Sequence, residues 1–331
     1  MRYQNTQSPK RHGPRVLKGY ELYGSEVIAL ENEFLRVVVN VGRGATIIEM
    51  QHKPKDIDVL YKNPGGLRPL GTFKESSYDQ HPLYDHHPAG WYECFPSGGG
   101  PVTQHGASIG FHGEIFGLPF ELNATHEDDT SASATMTAFT VRTPWKLVKT
   151  LSLKKNDPTL YLEETATNLG EQDLDVLWGQ HATFGAPFVD QHAYIDTPAT
   201  SFFDDRDNPR IRHRWPKTSD GIDLAKVRGP ESHSTKMVFL ADFPREALYR
   251  LVSPTFKLAF EMRWDSAKFP YCWMYENAGL LDSPWWGRAY ILALEPFTGF
   301  PKALEEGHGV IRIPAGKSET VRFDAKLVDV T

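Results

Sequence analysis

Short runs in which apolar and polar residues alternate, each closed by a turn signal, restrict this chain to a β architecture. Lys146–Leu153 alternates Leu and Val with Lys, Thr and Ser, and Ser133–Val141 alternates small with polar residues. Asn156-Asp157-Pro158 and Asn168-Leu169-Gly170 supply turns on either side of a further run, Leu160–Asn168. In such a run every second side chain faces the same way, so one face is buried and a second layer must cover it. The same signals predict two short strands within Glu26–Asn40, others at Ala45–Gln51, Phe120–His126 and Leu174–Trp178, and a second series from Lys236 to Leu327. Helical periodicity is nearly absent, with one turn at most over Ala303–Glu306. Strands at this spacing build a sandwich or barrel, not a βαβ fold. The fold class read from the pattern is therefore all-β, a large antiparallel β-sandwich. Residues 1–20 read as an N-terminal arm and residues 21–331 as a single domain.

With 331 residues, 40% hydrophobic and 24% charged, the chain can bury a full core. Its net charge of −6 is spread without long runs, and the basic clusters Lys10-Arg11 and Arg210–Arg214 are short, so nucleic acid is not an expected partner. Two cysteines, Cys94 and Cys272, cannot make a disulfide framework or a zinc ribbon and read as reduced, buried thiols. The polar, basic N-terminus lacks the apolar run of a secretory signal, and no stretch reaches the roughly 18 apolar residues needed to span a bilayer. These features give a cytoplasmic expectation with no membrane partner.

Two irregular stretches, 52–111 and 199–234, interrupt the strand pattern. The first is rich in His, Tyr, Pro and Gly and reads as loops covering one end of a sheet. Its histidines at 81, 86 and 87 match no standard metal spacing, and Asp204–Asp207 lacks the closing Glu of a calcium loop. The residues suited to chemistry lie around three His beside Gly, namely His105, His112 and His181, and one carboxylate, Glu295, at the end of the apolar run Ala289–Leu294. An unpaired carboxylate there would be costly to desolvate, so Glu295 is either ion-paired, with Arg288 or Arg263, or part of a site. Eight Trp, 13 Tyr and 19 Phe, several beside Gly and Pro, suit stacking on sugar rings as well as core packing. Trp178, Trp273 and Tyr275 are candidates for pocket walls on that basis, Glu114 is a candidate substrate-binding residue, and Glu93 is a nearby loop carboxylate.

The order of these motifs resembles the galactose mutarotase-like superfamily, the aldose 1-epimerases. An early Asn precedes a strand and a Gly-rich turn (Asn32 to Gly44); His112-Gly113 follows a glycine-rich loop; Asn168-Leu169-Gly170 ends a strand ahead of His181; and Glu295-Pro296 comes late. The resemblance covers roughly residues 25–330. It implies a supersandwich fold, His181 as general acid, Glu295 as general base and His112 as a substrate-binding histidine. It also implies a small-molecule sugar as partner, and no metal or organic cofactor. An ordinary carboxylate would take the anomeric proton, and a near-neutral histidine would protonate the ring oxygen. The substrate-contacting Arg of the family falls at Arg43 or Arg68, and its substrate-binding Asp at Asp223 or Asp242. A carbohydrate-binding protein without chemistry, or another sugar isomerase or lyase on the same scaffold, remains an alternative reading of the same residues.

Overall fold

The computed structural model describes residues 13–22, 24–64, 66, 89–206 and 208–331. Among them the alternating runs form strands that pair antiparallel into two large sheets. The larger has twelve strands, in the order Arg15–Leu22, Ser25–Glu31, Leu35–Asn40, Thr46–His52, Trp91–Cys94, Gly179–Gly185, Tyr290–Phe297, Tyr271–Ala278, Ser234–Ala241, Ser201–Phe203 and His213–Arg214, with Ile57–Asp58 paired to Thr46–His52 off this path. The second has eight, in the order Tyr194–Asp196, Glu246–Ser253, Leu258–Asp265, Ser318–Asp329, Thr159–Asn168, Trp145–Lys154, Ser131–Phe139 and Glu121–Glu127. Their inner faces share one core, in which Phe184 of the large sheet meets Phe260 of the small one edge to face at 4.7 Å. The all-β sandwich expected from the alternation is the observed architecture. Among the described residues no helix is long and apolar enough to cross a membrane.

Three local expectations need correction. Arg15–Leu22 is no arm: it pairs with Ser25–Glu31 as the edge strand of the large sheet. Within the presumed loops of 52–111, Trp91–Cys94 is an interior strand, paired with Gly179–Gly185 and bridged to Thr46–His52. Both of its faces are buried, so no alternation marks it. The strand expected at Leu174–Trp178 is shorter and belongs to neither large sheet. Leu174–Val176 pairs only with Ile311–Ile313 in a small separate ladder, while Gly179–Gly185 is itself a central strand and places His181 in its middle. Cys94 and Cys272 are free and buried, as expected, and burial pushes both thiols up.

Three ionisable side chains lie fully buried between the sheets. Lys149, from the small sheet, donates to Glu93 Oε1 at 2.6 Å and to the Ala45 carbonyl at 3.0 Å. Glu164, from the neighbouring strand, accepts from Gln180 Nε2 at 2.7 Å and Trp178 Nε1 at 3.2 Å through one oxygen. Gln180 in turn accepts from Trp91 Nε1 at 2.7 Å. The remaining oxygens, Glu93 Oε2 and Glu164 Oε1, have no other hydrogen-bond partner. Burial and the charge of Glu93 both raise the Glu164 carboxyl well above its usual range, so it keeps a proton. Glu164 is thereby placed to donate that proton to Glu93, whose other oxygen accepts from Lys149.

The proton-sharing arrangement predicts an asymmetric mutational response. Glu164→Gln presents a carbonyl to Trp178 and Gln180 and an amide N–H to Glu93, and is expected to change unfolding free energy by no more than about 1 kcal/mol. Lys149→Met leaves a buried carboxylate without its cation and is expected to cost about 3–5 kcal/mol. Denaturant unfolding of both variants at neutral pH checks this; equal losses would contradict the shared proton.

Candidate active site

The register between the His181 strand and the Glu295 strand fixes the centre of the site. Gly179 pairs with Phe297, Ala182 with Leu294, and Gly185 with Ile291, so His181 and Glu295 stand opposite one another. Their cavity-side neighbours in the same row are Tyr92, opposite His181, and Trp273, opposite Glu295. The next row contains Thr183, Ala293, Tyr275 and Met237. All of these line one cavity of about 500 Å³, within the size range of small-molecule sites. The alternate residues on the same strands, Gln180, Ala182, Leu292 and Leu294, are fully buried on the opposite, inter-sheet side.

His181 Nε2 lies 3.3 Å from Glu295 Oε1, with the two side chains 13% and 4% exposed. Thr183, two residues along and on the same face, places its hydroxyl 3.0 Å from His181 Nδ1. Tyr92 stacks on the imidazole with ring centroids 4.5 Å apart, and its hydroxyl is 2.8 Å from His112 Nδ1. His112 is the third histidine-side element of the cavity, its ring 5.0 Å from that of His181 and sandwiched by Phe111 at 3.9 Å. It has a φ of +62° and precedes Gly113, where a Cβ would collide with the Phe95 carbonyl. Glycine at 113 therefore permits the close approach that brings His112 over the sheet.

Burial moves the central pair in opposite directions. It raises the Glu295 carboxyl well above its usual range and lowers the His181 imidazole to about 3. The expected ordinary carboxylate and near-neutral histidine are thus replaced by a pair that holds one proton between them and carries no net charge. Such a pair can give a proton to one atom and take a proton from another without leaving a buried charge behind.

The other sequence candidates divide. His112, Trp273 and Tyr275 line the cavity with His181 and Glu295. Trp178 does not: its ring lies in the inter-sheet core and its Nε1 is committed to Glu164. Glu114 is not a cavity residue either, because its oxygens accept from the Arg142 N–H at 2.8 Å and the Thr143 hydroxyl at 2.6 Å. Glu93, read as a loop carboxylate, is the buried partner of Lys149. Arg43 sits in the turn between Leu35–Asn40 and Thr46–His52, its N–H bonded to Asn40 O, and is not among the cavity-lining residues. Asp223 caps its own loop through Ala225 N, Asp242 accepts from Ser201, and His105 occupies an exposed hairpin turn. Arg263 pairs with Glu261, and neither it nor Arg288 is the ion partner of Glu295. Arg68 and the histidines at 81, 86 and 87 lie outside the described residues. Among those described, no group of three or more His, Cys, Asp or Glu is placed to hold a metal ion. Sequence reasoning missed Thr183 and Tyr92. Period-two spacing from His181 would have found Thr183, whereas Tyr92 needs the strand register.

The model of a family described as a domain of unknown function, DUF4432, matches residues 23–327. No curated protein sequence matches the chain. Solved structures match the fold nearly end to end. A Klebsiella pneumoniae protein provisionally named an aldose 1-epimerase is 14% identical, with a TM-score of 0.76 over 96% of this chain and 83% of its own. An Escherichia coli protein with the same provisional name is 16% identical, with a TM-score of 0.66 over 93% of this chain and 100% of its own. A galactose mutarotase-like protein of Clostridium acetobutylicum is 11% identical, with a TM-score of 0.66 over 96% of this chain and 99% of its own. The fold is that of the galactose mutarotase-like proteins.

The lowered basicity of His181 is directly measurable. In ¹⁵N-edited NMR of the imidazole, His181 is expected to stay neutral from pH 8 down to pH 5, where an unperturbed histidine, with a pKa of about 6.5, is mostly protonated. Titration near that unperturbed value would contradict the buried, neutral pair.

Proposed function

The chain belongs to the DUF4432 family, and from the geometry of its cavity we propose that it is an aldose 1-epimerase, interconverting the α and β anomers of a sugar. The observation that carries this reading is the contact of His181 with Glu295 inside a cavity walled by aromatic rings. The names of proteins that share the fold point the same way.

In the proposed reaction the sugar enters with its anomeric hydroxyl toward Glu295 and its ring oxygen toward His181. Glu295, as carboxylate, takes the proton from the anomeric hydroxyl. His181, as imidazolium, gives its proton to the ring oxygen. The bond between C1 and the ring oxygen breaks, leaving an open-chain aldehyde. Rotation about C1–C2 presents the other carbonyl face, and the reverse transfers close the ring. Proton count is conserved throughout: one proton resides on the pair before and after ring opening. Moving it from Glu295 to His181 across their contact converts the neutral form of the empty site into the reactive one. Thr183 and Tyr92 fix the imidazole plane, and His112 is placed to bind a sugar hydroxyl. Trp273 and Tyr275 offer ring faces for the C–H face of the substrate. No step calls on a metal or an organic cofactor.

Anomer exchange followed by NMR or polarimetry over a panel of aldoses tests the reading. Glu295→Gln and His181→Asn are each expected to lower kcat by about 10² to 10⁴, the usual contribution of one general acid or base. If sugars bind but none exchanges faster than in buffer, the cavity is a carbohydrate-binding site and the enzymatic reading fails. The pH profile follows from the pair. Activity is expected to fall toward pH 3, as His181 gains a second proton for the pair and no base remains. It is expected to fall again as pH rises through the elevated pKa of Glu295, where the pair loses its last proton and no acid remains.

A further inference from the structure

The fixed charges that the described residues bring to the cavity are cationic, although the chain carries a net charge of −6. Among the described residues that line it, the fixed charges are Arg206 and Arg288, and Glu295 is the one carboxyl, held neutral in its pair with His181. The two arginines differ in surroundings. Arg206 follows Asp204 and Asp205 and also borders a side recess with Glu305, so acids offset its charge. Arg288 has one acid in its loop, Asp282, and makes no ion pair with any described residue.

Arg288 has a polar neighbour in need of a ligand. Tyr61 is 8% exposed, lines the cavity, and its buried hydroxyl has no hydrogen-bond partner among the described residues. A buried hydroxyl without a partner is uncommon because its desolvation is uncompensated. Burial raises the Tyr61 hydroxyl to about 12 against the opposing pull of Arg288, so it remains a donor. Tyr61 packs with Ala289, Ile291 and Trp285, and a Cβ on Gly185 would run into its ring. Gly185 is four residues along the strand from His181, about 13 Å at the usual rise. The exposed guanidinium, without an ion pair among the described residues, and the buried hydroxyl thus stand at the end of the cavity away from the acid–base pair.

We propose that the Arg288–Tyr61 end is an anion subsite, and that the sugar taken by this protein carries a carboxylate or phosphate far from its anomeric carbon. The placement of the anomeric carbon rests on the aldose 1-epimerase reading, but the subsite does not. A charge on C1 or C2 would lie beside His181 and leave Arg288 and Tyr61 unused. With the anomeric carbon at His181, a charge on the terminal carbon of a hexose is the one directed toward the Arg288–Tyr61 end. The guanidinium fork suits either anion, and the tyrosine hydroxyl adds a further donor.

Calorimetry on the Glu295→Gln protein reads binding without turnover. The probes are glucose, glucuronate and glucose 6-phosphate, the matching galactose series, and inorganic phosphate alone. Within a series the anionic sugar is expected to bind at least about tenfold tighter than its neutral parent, the size of one charge-assisted hydrogen bond. The carboxylate and phosphate arms show which anion is preferred. Adding Arg288→Gln is expected to erase the ratio, and Arg288→Lys to restore part of it, in proteins whose melting curves match the parent. A ratio near one in both series, or a ratio indifferent to Arg288→Gln, overturns the subsite. Exchange assays on the wild type separate the two readings. An anion preference in binding with no exchange leaves the subsite standing and sinks the epimerase. Equal exchange of charged and neutral sugars, with equal binding, does the reverse.

Discussion

The Lys149 ammonium, wholly buried between two β-sheets, is the constraint on which the arrangement of this molecule turns. A cation in that position is tolerated only with a fully hydrogen-bonded counter-charge. Glu93 supplies it, and the proton on Glu164 lets a second carboxyl join without adding a second charge. The network then ties four strands together: Trp91–Cys94 and Gly179–Gly185 in the large sheet, and Trp145–Lys154 and Thr159–Asn168 in the small one. A purely apolar interface of the same volume could be as stable, but it would permit sliding that directional bonds at 2.6 to 2.8 Å do not.

Rigidity there matters because the site lies on the reverse side of the same strands. Gln180 points into the network and His181 into the cavity; Glu93 points into the network and Tyr92 into the cavity. Antiparallel pairing holds Tyr92, His181, Glu295 and Trp273 in one row across four adjacent strands. His181 and Tyr92 are therefore each positioned by a neighbour in sequence that is anchored on the opposite face. Sites built on strands in this way are held more closely than sites on loops, and His112, which comes from a loop, is fixed instead by the Gly113 close approach and by its contact with Tyr92.

How much of this could be read in the sequence follows from which signals are local. Strands with one solvated face, such as Trp145–Lys154, announce themselves by alternation, and the sandwich follows from their number and spacing. Trp91–Cys94 and Gly179–Gly185 are buried on both faces, lack that alternation, and carry Gly, Trp and Cys, so they read as loops and a strand end. Glu295 stood out because a carboxylate on an apolar strand demands a partner, and its partner is His181. Trp178 was misplaced for the opposite reason. An aromatic beside glycine suits stacking on a sugar ring as well as core packing, but Trp178 precedes the strand by one residue and its indole serves the inter-sheet network. The protonation of the pair was not legible at all, since it depends on burial by residues from five strands.

That protonation also bears on what kind of ligand the cavity suits. A neutral His–Glu pair presents no fixed charge to a substrate, so among the described lining residues the fixed charge is that of the arginines. If the pair were an exposed carboxylate and an imidazolium, the carboxylate would compete with a ligand anion for Arg288, and the imidazolium would compete with Arg288 for that anion. Because the pair is neutral until a proton crosses between its members, charge recognition at one end and proton transfer in the middle do not interfere. The separation has a structural origin: the strand direction sets the distance between Tyr61 and His181, and the strand pairing sets the contact between His181 and Glu295. The two roles proposed for the cavity thus use the two perpendicular regularities of a β-sheet, rise along the strand and register across it.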